Sequence, residues 1–444
     1  MHDKKVLIIG EIFTDQHLDI KENNKSVSRL GGVFHAARAC SSLDVEYALA
    51  YYAPAYLNNS ICAFGKGILG AKELYCLGII DGSPNVMLIG NSDETGNQSY
   101  DNILCDQTVI INEKELTDII NAFLPTDIVL FPGRFCNKNF VENIIQLKIN
   151  LHIDMNYDSD DIYDNLTYNA QTVFLSTSST VFKHFFQKKT NNDLIEFFNK
   201  KNVKQLIVKE NRGGSWGYDY INRQNYEAPA FFVNRFIHSV GVGDVYDISF
   251  LFGLKAVKSI EERMSFAAWI SVLYAQTLDY NQFKKSVLPI IQNTSDYIQL
   301  KGIRVSWFKR KDYPIYIAAP DFDYVNSQII DSLEQVLKYH NFNPIRPIKI
   351  NGQVTDKTSI VEEDIIFSKD IKLLEDCKIM IAVLLYNDQG TLVEVGKYHE
   401  AGKPVILFDP YKKMNNMFFS HSISAYCTSQ SQVINKLFEI MNGM

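Results

Sequence analysis

Residues 379–408 hold four consecutive signals: the apolar run Ile379-Met380-Ile381-Ala382-Val383-Leu384-Leu385, the polar turn Asn387-Asp388-Gln389-Gly390-Thr391, the stretch Leu392-Val393-Glu394-Val395-Gly396-Lys397-Tyr398-His399, and a second apolar run, Val405-Ile406-Leu407-Phe408. A short apolar run closed by turn formers reads as a strand buried on both faces. The third segment carries helical spacing, and Gly402-Lys403-Pro404 ends it. Two buried strands joined by a helix lie parallel, because an antiparallel pair needs only a tight turn. The class is therefore α/β.

The same alternation extends outward. Tyr313-Pro314-Ile315-Tyr316-Ile317 reads as the first strand of this domain, and helical spacing from Gln328 to Tyr339 follows it. Far upstream, Val6-Leu7-Ile8-Ile9 ends at Gly10, and the runs Ile128 to Phe131, Leu151 to Ile153, Val173 to Leu175 and Leu206 to Val208 repeat the buried-strand signature. Helical spacing lies between them at Phe140 to Leu147 and Leu194 to Phe198, and continues from Asp244 to about Gln292. Lys301 to Asp312 is basic and lacks helical period. The expected organisation is a first α/β domain at 1–300, a linker at 301–312 and a smaller α/β domain at 313–444. Residues 156–165 are expected to form a surface loop.

At 444 residues the chain is too long for one typical core. A net charge of -7 argues against nucleic acid as the main partner. No apolar run approaches the roughly 20 residues that span a bilayer. The seven cysteines show no C-x-x-C spacing, and the histidines form no metal-ligand pattern, so no dedicated metal site is expected. The opening residues do not read as a secretion signal. A reduced, cytoplasmic compartment is the expectation.

Three segments of the second domain place polar residues at strand ends, where open α/β sheets bind ligands. They are Tyr316 to Asp323, Asp370 to Cys377, and Asn387 to Gly396 followed by Ala401-Gly402-Lys403-Pro404-Val405-Ile406. With its D-x-G-T-x-x-E-x-G motif, this series resembles the nucleoside 2-deoxyribosyltransferases over about 313–444. The resemblance implies a Rossmann-like (flavodoxin-like) fold, no cofactor, and Glu394 as the nucleophile. It implies that Tyr316 orients Glu394, that Asp370 lies near the base, and that Asp388 holds sugar hydroxyls beside Gly390 and Thr391. The family's usual C-D pair reads Cys377-Lys378 here. It also implies a homo-oligomer, since that family assembles through shared sites.

The residue types suit that chemistry. Breaking an N-glycosidic bond passes through an oxocarbenium-like state, which a carboxylate beneath the anomeric carbon can trap. The departing base needs a proton, which a second carboxyl with a raised pKa can give. Glu394 is expected in the first helical turn, where the dipole favours its ionised form. The competing reading makes Thr391-x-x-Glu394 a capping box.

In the first domain, Gly10 to Asp15, Gly31-Gly32, Asp154 at a strand end, Asn211 to Ser215 and Gly241-Val242-Gly243-Asp244 stand in the order found in the ribokinase-like (PfkB) sugar and nucleoside kinases. That resemblance implies an α/β sandwich using ATP and Mg2+. The glycine turn at Gly241 and Gly243 would present N–H groups to phosphate, Asp244 would be the base, and Asp15 and Gly32 would contact the sugar. The chain departs from the family at His238-Ser239 before the turn, at Ala36 where asparagine is usual, and at Ser178 and Val181 where an N-x-x-E motif is usual. Two readings stay open. One is a bifunctional enzyme that phosphorylates a sugar or nucleoside and breaks or exchanges a base–sugar bond. The other is a degenerate kinase, with Asp244 as a mere helix cap, that senses a nucleotide and gates a nucleotide N-glycosidase.

Overall fold

The computed structural model describes residues 4–18, 26–81, 86–90, 95–96, 100–103, 108–111, 113–133, 138–155, 168–233, 236–253, 257–323, 325–386 and 388–444. The stretch 156–165, expected to be a loop, and Asn387 lie outside the described residues. The chain forms two compact units, one of Met1–Glu94 with Gln98–Arg304, the other of Thr95–Asn97 with Val305–Met444.

The first unit is built on a ten-stranded sheet. Its central strand, Lys5–Glu11, is buried from Val6 onward and lies parallel to Glu46–Pro54 on one side and Asp127–Leu130 on the other. A strand flanked on both sides and covered on both faces needs an unbroken apolar run, which Val6 to Ile9 supplies. The other runs read from sequence also form parallel strands: Asn150–Asp154, Thr172–Ser176 and Gln205–Lys209. Antiparallel strands finish both borders. A separate four-stranded sheet, in the order Val27–Leu30, Thr14–His17, Val86–Ile89, Tyr100–Ile103, was not legible in the sequence. Three helices, Val242–Phe252, Ile260–Ala275 and Tyr280–Gln292, fill the region read as helical.

The second unit has five strands in the order Asn343–Ile345, Pro314–Ala318, Ile379–Val383, Val405–Phe408, Ala425–Cys427, all parallel. In chain order that is 2-1-3-4-5, the flavodoxin-like arrangement, with a crevice where the winding reverses between the first and third strands. Helices Ile360–Asp376 and Gln389–Glu400 share one core with Tyr316, Met380 and Leu407. Helix Ile360–Asp376 starts at Ser359, whose hydroxyl takes the Glu362 N–H while Glu362 takes the Ser359 N–H.

The stretch 301–312, expected to be a linker, is instead built into both units. Ile303 bridges Ala230, and Arg304 pairs with Glu210, Glu227 and the Gly213 carbonyl. Beyond the division, Arg310 is fully buried and donates to the carbonyls of Val305 (3.1 and 3.0 Å) and His340 (3.2 Å), with its guanidinium over Trp307 and Phe438. Basic residues of the expected linker serve here as internal donors.

None of the five described cysteines is in a disulfide. Among the described residues no helix is long and apolar enough to cross a membrane.

Candidate active site

The reversal crevice of the second unit gathers four of the residues singled out by sequence. Tyr316 rises from the first strand, and its hydroxyl donates to Glu394 Oε1 at 2.6 Å. Glu394 projects from helix Gln389–Glu400, whose N-cap is Asp388. The capping-box reading is corrected by this geometry. Asp388 Oδ2 accepts from both the backbone N–H and the hydroxyl of Thr391, each at 2.7 Å, so Asp388 does the capping and Glu394 does none. The asparagine-aspartate-rich turn supplied a better cap three residues upstream of the one expected.

Three further corrections follow. Glu394 lies six residues after the N-cap, beyond the first turn in which the dipole acts. Burial pushes its carboxyl up to about 7; the Tyr316 hydrogen bond opposes the rise, while the charges of Asp370 and Asp388 add to it. Thr391, expected to touch substrate, is buried and its hydroxyl is committed to Asp388. Asp370, whose plain alternative to a place near the base is a solvated helix start, stands instead in the last two turns of Ile360–Asp376, where burial raises its carboxyl and a hydrogen bond from Asn351 opposes that. Gly390 is exposed beside the Asp388 carboxylate.

Two carboxyls with raised pKa values around one tyrosine are the pattern of divided acid and base roles. Burial and the Glu394 charge hold the Tyr316 hydroxyl well above its usual range, so it stays a donor throughout. Tyr316→Phe removes a hydrogen bond that lowers Glu394. Its midpoint is expected to rise by about one unit above 7, so that turnover at pH 7 falls roughly fivefold and recovers near pH 9. A pH–rate profile of kcat/KM checks this, and an unmoved acidic limb would contradict it.

The sequence-singled residues of the first unit are also brought together, but around a closed centre. Asp15 is fully buried; its Oδ2 lies 3.1 Å from His35 Nε2 and 3.4 Å from Arg29 Nε. A Cβ on Gly31 would collide with the Asp15 carboxylate, and Gly32, at φ +60, leaves no room for one against the Glu11 carbonyl. Gly241 takes a left-handed φ of 76, and a Cβ there would sit 2.1 Å from the His35 ring, so both the backbone and the space call for glycine. His35 is held in that place by Tyr274, whose hydroxyl is 2.7 Å from Nδ1. Burial lowers His17 to about 3 and His35 to about 4, and lowers His238 as well, so all three rings are neutral at pH 7. Asp15 and Gly32, expected to contact a sugar, thus face the protein's own side chains.

Beneath the same glycine turn, Lys209 Nζ lies 2.8 Å and 3.0 Å from the Asp247 oxygens, 3.2 Å from Asp154 Oδ2 and 3.3 Å from the Gly243 carbonyl. Burial works against its charge, but Asp154 and Asp247 outweigh burial and hold the ammonium above its usual range. Burial and Asp154 push Asp247 well up against the pull of Lys209. The Val242 N–H of the turn is already taken by the Ser239 carbonyl at 3.3 Å. Among the described residues no group of three His, Cys, Asp or Glu side chains is placed to hold a metal ion. The Lys209 ammonium already serves as the cation between Asp154 and Asp247. Lys209 closes the apolar run Leu206 to Val208, a charge visible in sequence, but its partners lie 55 and 38 residues away.

The comparisons with known proteins fall on the same two units. Residues 315–436 match the family model for nucleoside 2-deoxyribosyltransferase. No curated protein matches the chain. Among solved structures, the chain is similar to a fructokinase with bound ATP from Xylella fastidiosa, at 15% identity and TM-score 0.50 over 66% of this chain and 100% of that one. It is similar too to phosphofructokinase-2 from Escherichia coli in complex with potassium, at 12% identity and TM-score 0.50 over 65% and 100%. At such identities the likeness is one of fold. The first unit has the ribokinase-like α/β fold, and the second is nucleoside 2-deoxyribosyltransferase-like.

Proposed function

We propose that the second unit breaks the N-glycosidic bond of a nucleoside or nucleotide through a covalent glycosyl–Glu394 intermediate. The observation that carries this is the 2.6 Å hydrogen bond from Tyr316 to Glu394 beside a second raised carboxyl, Asp370. A Glu394 oxygen attacks the anomeric carbon as the bond to the base breaks, and the bonding pair leaves with the base. Asp370 supplies the proton that the base needs. Water or the nitrogen of a second base then displaces Glu394, returning its proton to Asp370. The test is incubation with deoxynucleosides, ribonucleosides and their monophosphates, followed by chromatography for free base. No base release, together with unchanged behaviour in Glu394→Ala, would sink the reading.

For the first unit, the side chains crowding the glycine turn favour the second of the two readings: a kinase fold that binds a nucleotide without phosphorylating and modulates base release. His35 against Gly241 and Lys209 beneath Gly243 are the observations behind it. ATP consumption that depends on Asp244 would restore the bifunctional reading, with ATP and Mg2+ as its requirements.

A homo-oligomer is also proposed. Helix Ile360–Asp376 buries only Leu374 among its described residues, and Ile360 (79% exposed), Val361, Ile365 and Phe367 (61%, with Lys397 over its ring) are exposed, as are Leu392 and Val393 on helix Gln389–Glu400. Apolar side chains grouped this way mark an interaction surface. Ile365→Asp with Phe367→Asp is expected to halve or further reduce the solution mass seen by light scattering. An unchanged mass would contradict the assignment of this face.

A further inference from the structure

We propose that Asn351 is a positioning residue that turns the Asp370 carboxyl so that Oδ2, not Oδ1, carries the proton delivered to the departing base. The inference rests on the reading of Glu394 and Asp370 given above. Asn351 Nδ2 donates to Asp370 Oδ1 at 2.7 Å. Among the described residues this is the one hydrogen bond made to that carboxyl. An oxygen already accepting an N–H is the poorer place for a proton, so the neutral acid carries its hydrogen on Oδ2.

The residue type matters. A lysine or arginine at this place would hold Asp370 ionised, lowering it by about one to three units and removing the acid. A second carboxyl would repel it. An amide donates at every pH and brings no charge, so it orients without fixing the protonation state. The groups that face Asp370 are Glu394 from helix Gln389–Glu400 and Tyr316 from the first strand, both coupled to its charge. From the third side comes the short helix Pro347–Asn351, whose one charged residue, Lys349, is turned to Asp331 and Glu334.

The short helix is itself held. Its entry residue Arg346 is almost wholly buried, with Nε and Nη2 on the two oxygens of Asp321 (2.7 and 2.5 Å) and Nη1 on Asp331 (2.5 Å) and Glu334 (2.7 Å). Pro347 pre-sets the first turn, and Gly352 at φ 89 ends it by donating to the Ile348 carbonyl at 3.0 Å. Asn351 is therefore fixed at the end of an anchored turn, which is what an orienting donor requires.

The test measures the Asp370 carboxyl directly by carbon-13 NMR titration of the full chain, with Asp370→Asn assigning the signal. In Asn351→Ala the midpoint is expected to rise by about half to one pH unit, as for loss of one hydrogen bond. The basic limb of kcat/KM for base release should rise with it. Turnover should fall roughly tenfold while KM moves less than about threefold, since the group is lost from proton delivery and not from binding. Asn351→Asp keeps the size and guards against a folding defect; its added carboxylate should raise the midpoint further than alanine does. A wild-type protein that releases no base overturns the site reading and this inference with it. An active wild type whose Asp370 midpoint and basic limb coincide with those of Asn351→Ala and Asn351→Asp overturns the inference alone.

Discussion

Glu394→Gln is expected to lose base release by about 10³-fold or more while making the second unit harder to melt at pH 8. The two effects have one cause. Glutamine still accepts the Tyr316 hydroxyl, so the local geometry is kept, but it cannot form the glycosyl ester, and loss of a nucleophile is among the largest single-residue effects in catalysis. Its folded carboxyl is raised to about 7 from 4.5. A raised carboxyl contributes stability that is present below its unfolded value and lost as pH rises through the folded one. Between pH 4.5 and 7 the wild-type unit therefore weakens, and above pH 7 the buried charge costs about 3 kcal/mol that glutamine avoids. Melting curves of both proteins should coincide at pH 4 and separate by several degrees at pH 8. A variant as active as wild type, or one that is less stable at pH 8, would show that Glu394 is an ordinary structural residue.

Lys209→Met is expected to be the most damaging single change in the first unit. It leaves Asp154 and Asp247, both fully buried, without the cation that lies 3.2 and 2.8 Å from them. Removing one partner from a buried ion cluster costs about 3–5 kcal/mol, because the remaining charges are neither hydrated nor compensated. The pH dependence also changes sign of interest. In wild type the raised lysine is fully charged below its unfolded value and adds no slope between pH 5 and 9, while the raised Asp247 carboxyl already loses stability as pH rises. In the variant Asp247 also loses the opposing pull of Lys209, so stability falls more steeply as pH rises above about 4. Melting should fall by about 10 °C at pH 7 and recover part of the loss at pH 5. A flat difference across that range would rule out uncompensated carboxylates as the cause.

How much of this was open to sequence reading depends on whether a residue's partner is local. Val6 to Ile9 and Ile379 to Val383 declare themselves as buried parallel strands, because burial on both faces forces an uninterrupted apolar run. Thr14–His17, Val27–Leu30 and Tyr100–Ile103 do not, since four polar-rich residues carry no usable alternation. At the site, Glu394, Tyr316 and Asp388 were visible through motif spacing. The distribution of duties was not: Asp388 and Thr391 compete for the same cap, and only the backbone turn decides between them. Asn351 had no signal of its own, and Lys209 showed only as a charge closing an apolar run, as each acts through a group 19 or more residues away. Arg304 and Arg310 misled for the same reason. A basic, aperiodic stretch looks solvated unless the carbonyls and carboxylates it satisfies are known.

The borders of the smaller sheet have a consequence for assembly. Both outer strands, Asn343–Ile345 and Ala425–Cys427, are three residues long, and Pro344 on the first has no N–H to offer. Borders so short present little ladder for a foreign strand, so extension of this sheet into a fibril is disfavoured from either side. The aggregation hazard moves elsewhere, to the apolar helical stretch around Ile360 and Phe367. Mutations that weaken any contact made there should yield sticky, still-folded particles rather than cross-β material.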